Sequence, residues 1–143
     1  ALYFINKALQ IDEENPIYWT RYAEINLKLD LFEEASRGFQ KSIDLEDYSL
    51  DIFTALTDVL HFLGDFEDAI KILLKAKKLY VDFAEIEYRL AGLYLIVGKD
   101  QKGLKCLNNA LSIEQGYLKI FKELYPSVFV KKSVQEVIKK TNQ

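Results

Sequence analysis

Apolar residues along this chain recur at spacings of three and four rather than two, the rhythm that lines one face of an α-helix. Leu2, Ile5, Ala8 and Leu9 form the first such stripe and predict a helix over 1–11. Asn15-Pro16 opens a second. Asn15 stands where a side chain caps the helix, and Pro16 takes the first turn, where its missing N–H costs nothing. That helix is expected to reach about Leu29 and to bury Trp19, Tyr22, Ala23 and Leu29. A turn at Asp30-Leu31 leads to a helix from Phe32 to about Leu45. The same reading predicts helices over 50–63, 66–80, 84–97 and 100–113. Between them, Gly64-Asp65 and Gly98-Lys99 supply turns in which glycine admits left-handed backbone. Tyr117 to Tyr125 reads as a further helix stopped by Pro126. Ser133 and Glu136 have capping-box spacing, which places a last short helix over 134–140. Its Val134, Val137 and Ile138 are expected to dock on the preceding helices.

These elements repeat with a period of 34 residues. Asp65-Phe66-Glu67-Asp68-Ala69 echoes Leu31-Phe32-Glu33-Glu34-Ala35; Gly64 pairs with Gly98, and Leu56 with Leu90. Ala8, Ser42, Ala76 and Ala110 align at the same period. Three full units follow, 16–49, 50–83 and 84–117, with 1–15 as the second helix of a truncated unit and 118–143 as a terminal cap. Short connections make neighbouring helices antiparallel. Ala23, Ala35, Ala76, Ala91, Gly103 and Ala110 are small where those helices approach, and Trp19, Phe39, Phe53 and Leu73 fill the gaps.

The pattern resembles the tetratricopeptide repeat family, whose units read Trp-x₂-Leu-Gly-x₂-Tyr in a first helix and Ala-x₃-Phe-x₂-Ala in a second. Trp19, Tyr22, Ala23 and Asn26, then Ala35, Phe39 and Ser42, carry it in the first unit. Phe53, Leu56, Thr57, Leu60, Ala69, Leu73 and Ala76 carry it in the second, and Leu90, Ala91, Tyr94, Gly103, Leu107 and Ala110 in the third. Glu87 departs from it where a large apolar residue is usual, Asn26 takes an aromatic position, and Asp47, Val81 and Gln115 replace the closing proline. The resemblance covers about 1–117 and implies an all-α fold: a right-handed superhelical solenoid of antiparallel helix pairs forming a single domain.

Composition narrows the chemistry. The net charge is −3, but residues 1–117 carry 13 Lys/Arg against 20 Asp/Glu and residues 118–143 carry 6 against 2. An acidic body argues against binding nucleic acid, which needs lysines and arginines on the phosphates. Only the basic tail (Lys131, Lys132, Lys139, Lys140) keeps an RNA-binding alternative open. No apolar run is long enough to span a membrane. One cysteine, Cys106, cannot form an internal disulfide, which fits a reducing, cytoplasmic compartment. One histidine, His61, lies far from Cys106, and no metal-binding spacing, phosphate loop or nucleophile elbow occurs. Paired acids such as Glu33-Glu34 and Glu67-Asp68 open helices, where carboxylates complement the dipole. The expectation is a protein without catalytic function, metal or cofactor. An accessory segment of a larger enzyme or regulator, with its other domain upstream, is the alternative.

In members of the resembled family the first helices line a concave surface, so the stripe beside their core face becomes the candidate groove. It carries Ile17, Thr20, Glu24 and Leu27, then Asp51, Thr54, Asp58 and His61, then Glu85, Tyr88, Gly92 and Leu95. Arg21, Lys28, Phe62 and Arg89 flank it. Leu27, Phe62, Tyr88 and Leu95 are expected to be exposed among these charges, a mixture suited to an extended segment or a helix of a protein partner. Carboxylates in the middle favour a basic ligand. Family members that clamp a C-terminal carboxylate use Lys and Asn early in the groove, whereas Thr20 and Glu24 stand here. The uncovered apolar face of residues 1–11 is expected to let the fragment form a homodimer or take up its own tail.

Overall fold

The computed structural model describes residues 1–142, and no strand occurs among them. The helices are α1 (Leu2–Ile11), α2 (Pro16–Lys28), α3 (Phe32–Asp44), α4 (Leu50–Leu63), α5 (Phe66–Leu79), α6 (Ala84–Ile96) and α7 (Asp100–Ile113). After a 3₁₀ turn (Gln115–Tyr117) come α8 (Leu118–Leu124), α9 (Pro126–Phe129) and α10 (Lys132–Thr141). They form two compact units, Ala1–Asp65 and Phe66 onward, so the boundary falls at the Gly64-Asp65 turn inside the second sequence repeat.

Local chemistry sets the helix ends. The Asn15 carboxamide accepts the Ile17 N–H at 3.0 Å, with Pro16 at the first helical position. Three turns spaced by the repeat period share one hydrogen bond, from Leu31, Asp65 and Lys99 N–H back to the carbonyls of Asn26, Leu60 and Tyr94. That bond requires a left-handed residue between. Gly64 and Gly98 provide it at φ 81° and 84°, and Asp30 does so at φ 58°. A short polar side chain is among the few that tolerate this conformation.

In the first unit α3 packs on both α2 and α4, and α1 packs on α2. Ala23, Ala35, Ile43, Phe53 and Leu56 are sealed from solvent. Asn26, in its aromatic slot, is buried and donates from Nδ2 to the Tyr22 carbonyl at 2.8 Å. Thr20 Oγ1 lies 2.7 Å from Ser42 Oγ, which also donates to the Pro16 carbonyl. Leu29 does not join this core. The helix ends at Lys28, and Leu29, as its C-cap, is 54% exposed. Trp19 is half-buried, its Nε1–H donating to the Glu13 carbonyl at 2.7 Å.

In the second unit α6 lies against α5 and α7, and ten of its thirteen residues are buried. A helix buried all round loses the polar stripe that marks a surface helix. Glu87 is the exception in that apolar setting. Its carboxylate meets Lys77 Nζ of α5 at 2.9 Å, with the Glu87 side chain 5% exposed, while Oε2 is buried without a hydrogen-bond partner. Burial works against the Lys77 charge, yet the Glu87 hydrogen bond holds its pKa above the usual value. Cys106 of α7 lines the same region, and burial with the neighbouring Glu87 pushes its thiol up to about 11. The thiol is therefore protonated and unreactive at neutral pH.

The C-terminal elements depart from expectation in detail. The helix expected over Tyr117 to Tyr125 is α8, preceded by a 3₁₀ turn that ends at Tyr117, and Pro126 stops it only to start α9. Ser133 and Glu136 do not cap the last helix. The Lys131 carbonyl already accepts the Gln135 N–H at 3.0 Å, so α10 begins at Lys132 with no side-chain cap. Val134 and Ile138 bury against α7 as the pattern required. Lys77→Met, which leaves the Glu87 carboxylate buried without its cation, is expected to destabilise the protein by about 2–4 kcal/mol. Lys77→Met/Glu87→Leu should recover to within about 1 kcal/mol of wild type, both read by urea unfolding.

Candidate functional site

The residues expected to line a groove fall into two sets, one on each compact unit. On the first unit, Glu24 and Asp51 are exposed, and Leu27, Thr54, Asp58 and His61 are half-buried. Arg21 and Lys28 are also exposed, and Arg21 Nη1 approaches Glu24 Oε2 at 3.7 Å. Two exposed side chains at that distance gain little from each other. Glu24 therefore remains largely available. Thr54 Oγ1 donates to the Asp51 carbonyl at 3.2 Å, which turns its hydroxyl inward along the helix. Thr20 faces Ser42 of α3 rather than solvent.

Phe62 is the main apolar feature of this unit's surface. Its ring is 68% exposed, yet it packs against Phe32 of α3 with centroids 4.2 Å apart. An aromatic ring held by a neighbour presents apolar area with little entropy left to lose on binding. Phe32 also lines a hollow of about 350 Å³ with Asp30, Leu31, Glu33, Glu34 and Leu63. Sequence reasoning placed Phe62 at the groove margin but had no signal for its pairing with Phe32. The two lie 30 residues apart, off the repeat period.

On the second unit the picture reverses. Tyr88 and Leu95 are 3% and 1% exposed, contrary to the exposure expected of them. Tyr88 packs against Phe121 at 5.8 Å, and its hydroxyl donates to the Glu114 carbonyl at 2.8 Å. Burial, with the Glu114 charge adding to it, pushes its phenol up to about 12. The Tyr125 ring lies on Gly92, where any Cβ would overlap it. α8 and α9 thus cover α6 through Phe121, Tyr125 and Val128, all buried. Glu85 and Arg89 stay half-buried beside this cover, with Arg89 Nη1 donating to the Glu85 carbonyl at 3.2 Å. The apolar pair Phe121 and Tyr125 at helical spacing was the one sequence signal for this arrangement.

His61 sits beside Asp58, but burial outweighs that carboxylate and holds its pKa below the usual value. Among the described residues no group of three His, Cys, Asp or Glu side chains could hold a metal ion. No described helix is long and apolar enough to cross a membrane.

Comparison with solved structures places this geometry. MamA superposes with a TM-score of 0.77 at 19% identity, over 99% of this chain and 84% of that one. YrrB, described as a TPR protein with an unusual peptide-binding site, gives 0.77 at 19% identity, over 98% and 74%. A thermophilic TPR protein of Thermus thermophilus gives 0.66 at 20% identity, over 98% and 79%. The fold is that of the tetratricopeptide repeat proteins. Identities this low establish the TPR fold and nothing finer. No family profile and no curated protein sequence matches the chain.

Two outcomes test this geometry. Because folding lowers the His61 pKa, its contribution to stability is complete above the unfolded value of about 6.5 and is lost as pH falls below it. His61→Asn should flatten that part of the thermal-midpoint profile between about pH 7 and 5. Gly92→Ala should lift the Tyr125 ring, costing about 1–3 kcal/mol and making 118–142 the first region cut by protease.

Proposed function

We propose that this chain is a non-catalytic interaction module that holds a basic segment of another protein against the exposed sides of α2 and α4. The observation that carries this reading is the charge of the first unit. Residues 1–65 carry 5 Lys/Arg against 13 Asp/Glu, a net charge of −8. From residue 66 on there are 14 against 9, or +5. The acidic unit is also the one whose candidate residues remain open to solvent. Glu24, Asp51 and Asp58 supply charge, and the braced Phe62 supplies apolar area. That combination gives a partner both electrostatic steering and an anchor. The description of YrrB supports a peptide ligand, since it shows that this fold accommodates one. On the second unit Glu85 and Arg89 are half-buried and Tyr88 and Leu95 are buried, so none of the four enters this reading.

Calorimetric titration with a panel of peptides of graded charge tests the reading. Lysine-rich peptides containing an aromatic or leucine should bind, and acidic peptides of the same length should not. Affinity should fall between about 0.05 and 0.3 M salt as screening shortens the reach of the carboxylates. Asp51→Lys/Asp58→Lys should weaken binding by about tenfold or more, and Phe62→Ala by a similar factor. Tighter binding of acidic peptides would sink the proposal.

A further inference from the structure

A second surface of the first unit has a different construction from the carboxylate-bearing sides of α2 and α4. Between α1 and α3 lies a groove of about 430 Å³. Its floor is Trp19 and Tyr22 of α2, ring centroids 5.6 Å apart and edge to face, with Leu9 of α1 beside them. Both rings are fixed by hydrogen bonds. Trp19 donates to the Glu13 carbonyl, and Tyr22 Oη donates to Glu34 Oε2 at 2.6 Å. One wall is formed by Asn6 and Gln10 of α1. These exposed carboxamides make no hydrogen bond among the described residues, and they sit one turn apart on the same face. Arg37 forms the opposite wall. Its Nη2 donates to both Glu34 and the Tyr22 hydroxyl, which anchors the guanidinium and leaves its other N–H groups pointing away from those bonds. Glu13, exposed and acidic, also lines the groove.

We propose that this groove binds an extended peptide segment, with its backbone on Asn6 and Gln10, an apolar side chain on Trp19 and Tyr22, and a lysine or arginine at Glu13. The axial spacing decides for an extended backbone. Residues four apart on a helix rise about 6 Å. Alternate residues of an extended chain repeat at about 6.6 Å, so two carboxamides reach two successive outward-facing peptide groups. Each carboxamide donates and accepts, as a peptide group requires. A helical partner has its backbone groups already paired and leaves nothing for them to bond. Arg37 adds donors for a carbonyl on the other side of the strand. Charge complementarity fixes the basic residue, because Glu13 lines the groove and the whole unit is acidic at −8.

Trp19 is the sole tryptophan, so its emission reports occupancy of this groove directly. The probe is an acetylated, amidated heptapeptide with one leucine and one lysine, compared with a version N-methylated at alternate peptide nitrogens. Saturable change in Trp19 emission is expected with the first peptide, weakened about tenfold or more with the second. Asn6→Ala/Gln10→Ala alters only exposed side chains and should weaken the response by a similar factor with helical content unchanged. Asp51→Lys/Asp58→Lys should leave it as in wild type, which separates this groove from the site on α2 and α4. A silent Trp19, a response indifferent to N-methylation and to Asn6→Ala/Gln10→Ala, or its loss in the Asp51/Asp58 variant would overturn the proposal.

Discussion

Close approach of antiparallel helices, made where one residue in each is small, is the constraint on which the rest of this structure depends. Ala23, Ala35, Ala69, Ala76, Ala91 and Ala110 are all fully sealed, and the large side chains Phe53, Leu56, Leu73, Leu90 and Leu107 close around them. Each such large side chain contributes about 1.5–3 kcal/mol by leaving water. It can do so only if the backbones stand near enough for density to match that of a protein interior. The turns within each unit serve this end. A left-handed residue at 30 and again at 98 sends the chain back sharply enough for the next helix to meet the previous one along its length.

Polar residues in these cores are tolerated because each finds a local use. Asn26, Ser42 and Thr57 are buried, and their side chains bond carbonyls or hydroxyls within reach. Glu87 is different in kind. A carboxylate in a slot built for a large apolar side chain carries a desolvation cost that a single lysine offsets incompletely. Its second oxygen stays unbonded, and its charge adds to burial in raising the pKa of Cys106. The polar substitution therefore makes the neighbouring thiol less reactive rather than more.

The two units put the same sequence position to opposite uses. Glu24, Asp58 and Gly92 stand at equivalent places in three successive repeats. Glu24 is exposed and Asp58 half-buried, both with charge to offer, whereas Gly92 yields its space to the Tyr125 ring. The chain's own C-terminal segment thus occupies on α6 the kind of surface that α2 and α4 leave open. Charge follows the same division, with the acidic residues concentrated in the unit that stays open.

Periodicity alone determined the helices, their antiparallel order and most of the core. These follow from local rules: spacing of apolar side chains, Asn15-Pro16 at a helix start, glycine at a helix end. Boundaries came within a residue or two even where the period lapses: α10, expected from 134, begins at Lys132 because the Lys131 carbonyl already accepts the Gln135 N–H. Exposure was beyond the reach of such rules. Tyr88 and Leu95 repeat the register of Thr54 and His61, and nothing in the register says that Phe121 of α8 will pack on the first while the second lies against Gly103 of α7. The braced ring of Phe62 and the groove floored by Trp19 were equally illegible, since each joins side chains from different helices at distances no repeat encodes. Which face of a helix is apolar is a property of its sequence; which part of that face meets water is settled only when the other helices have taken their places.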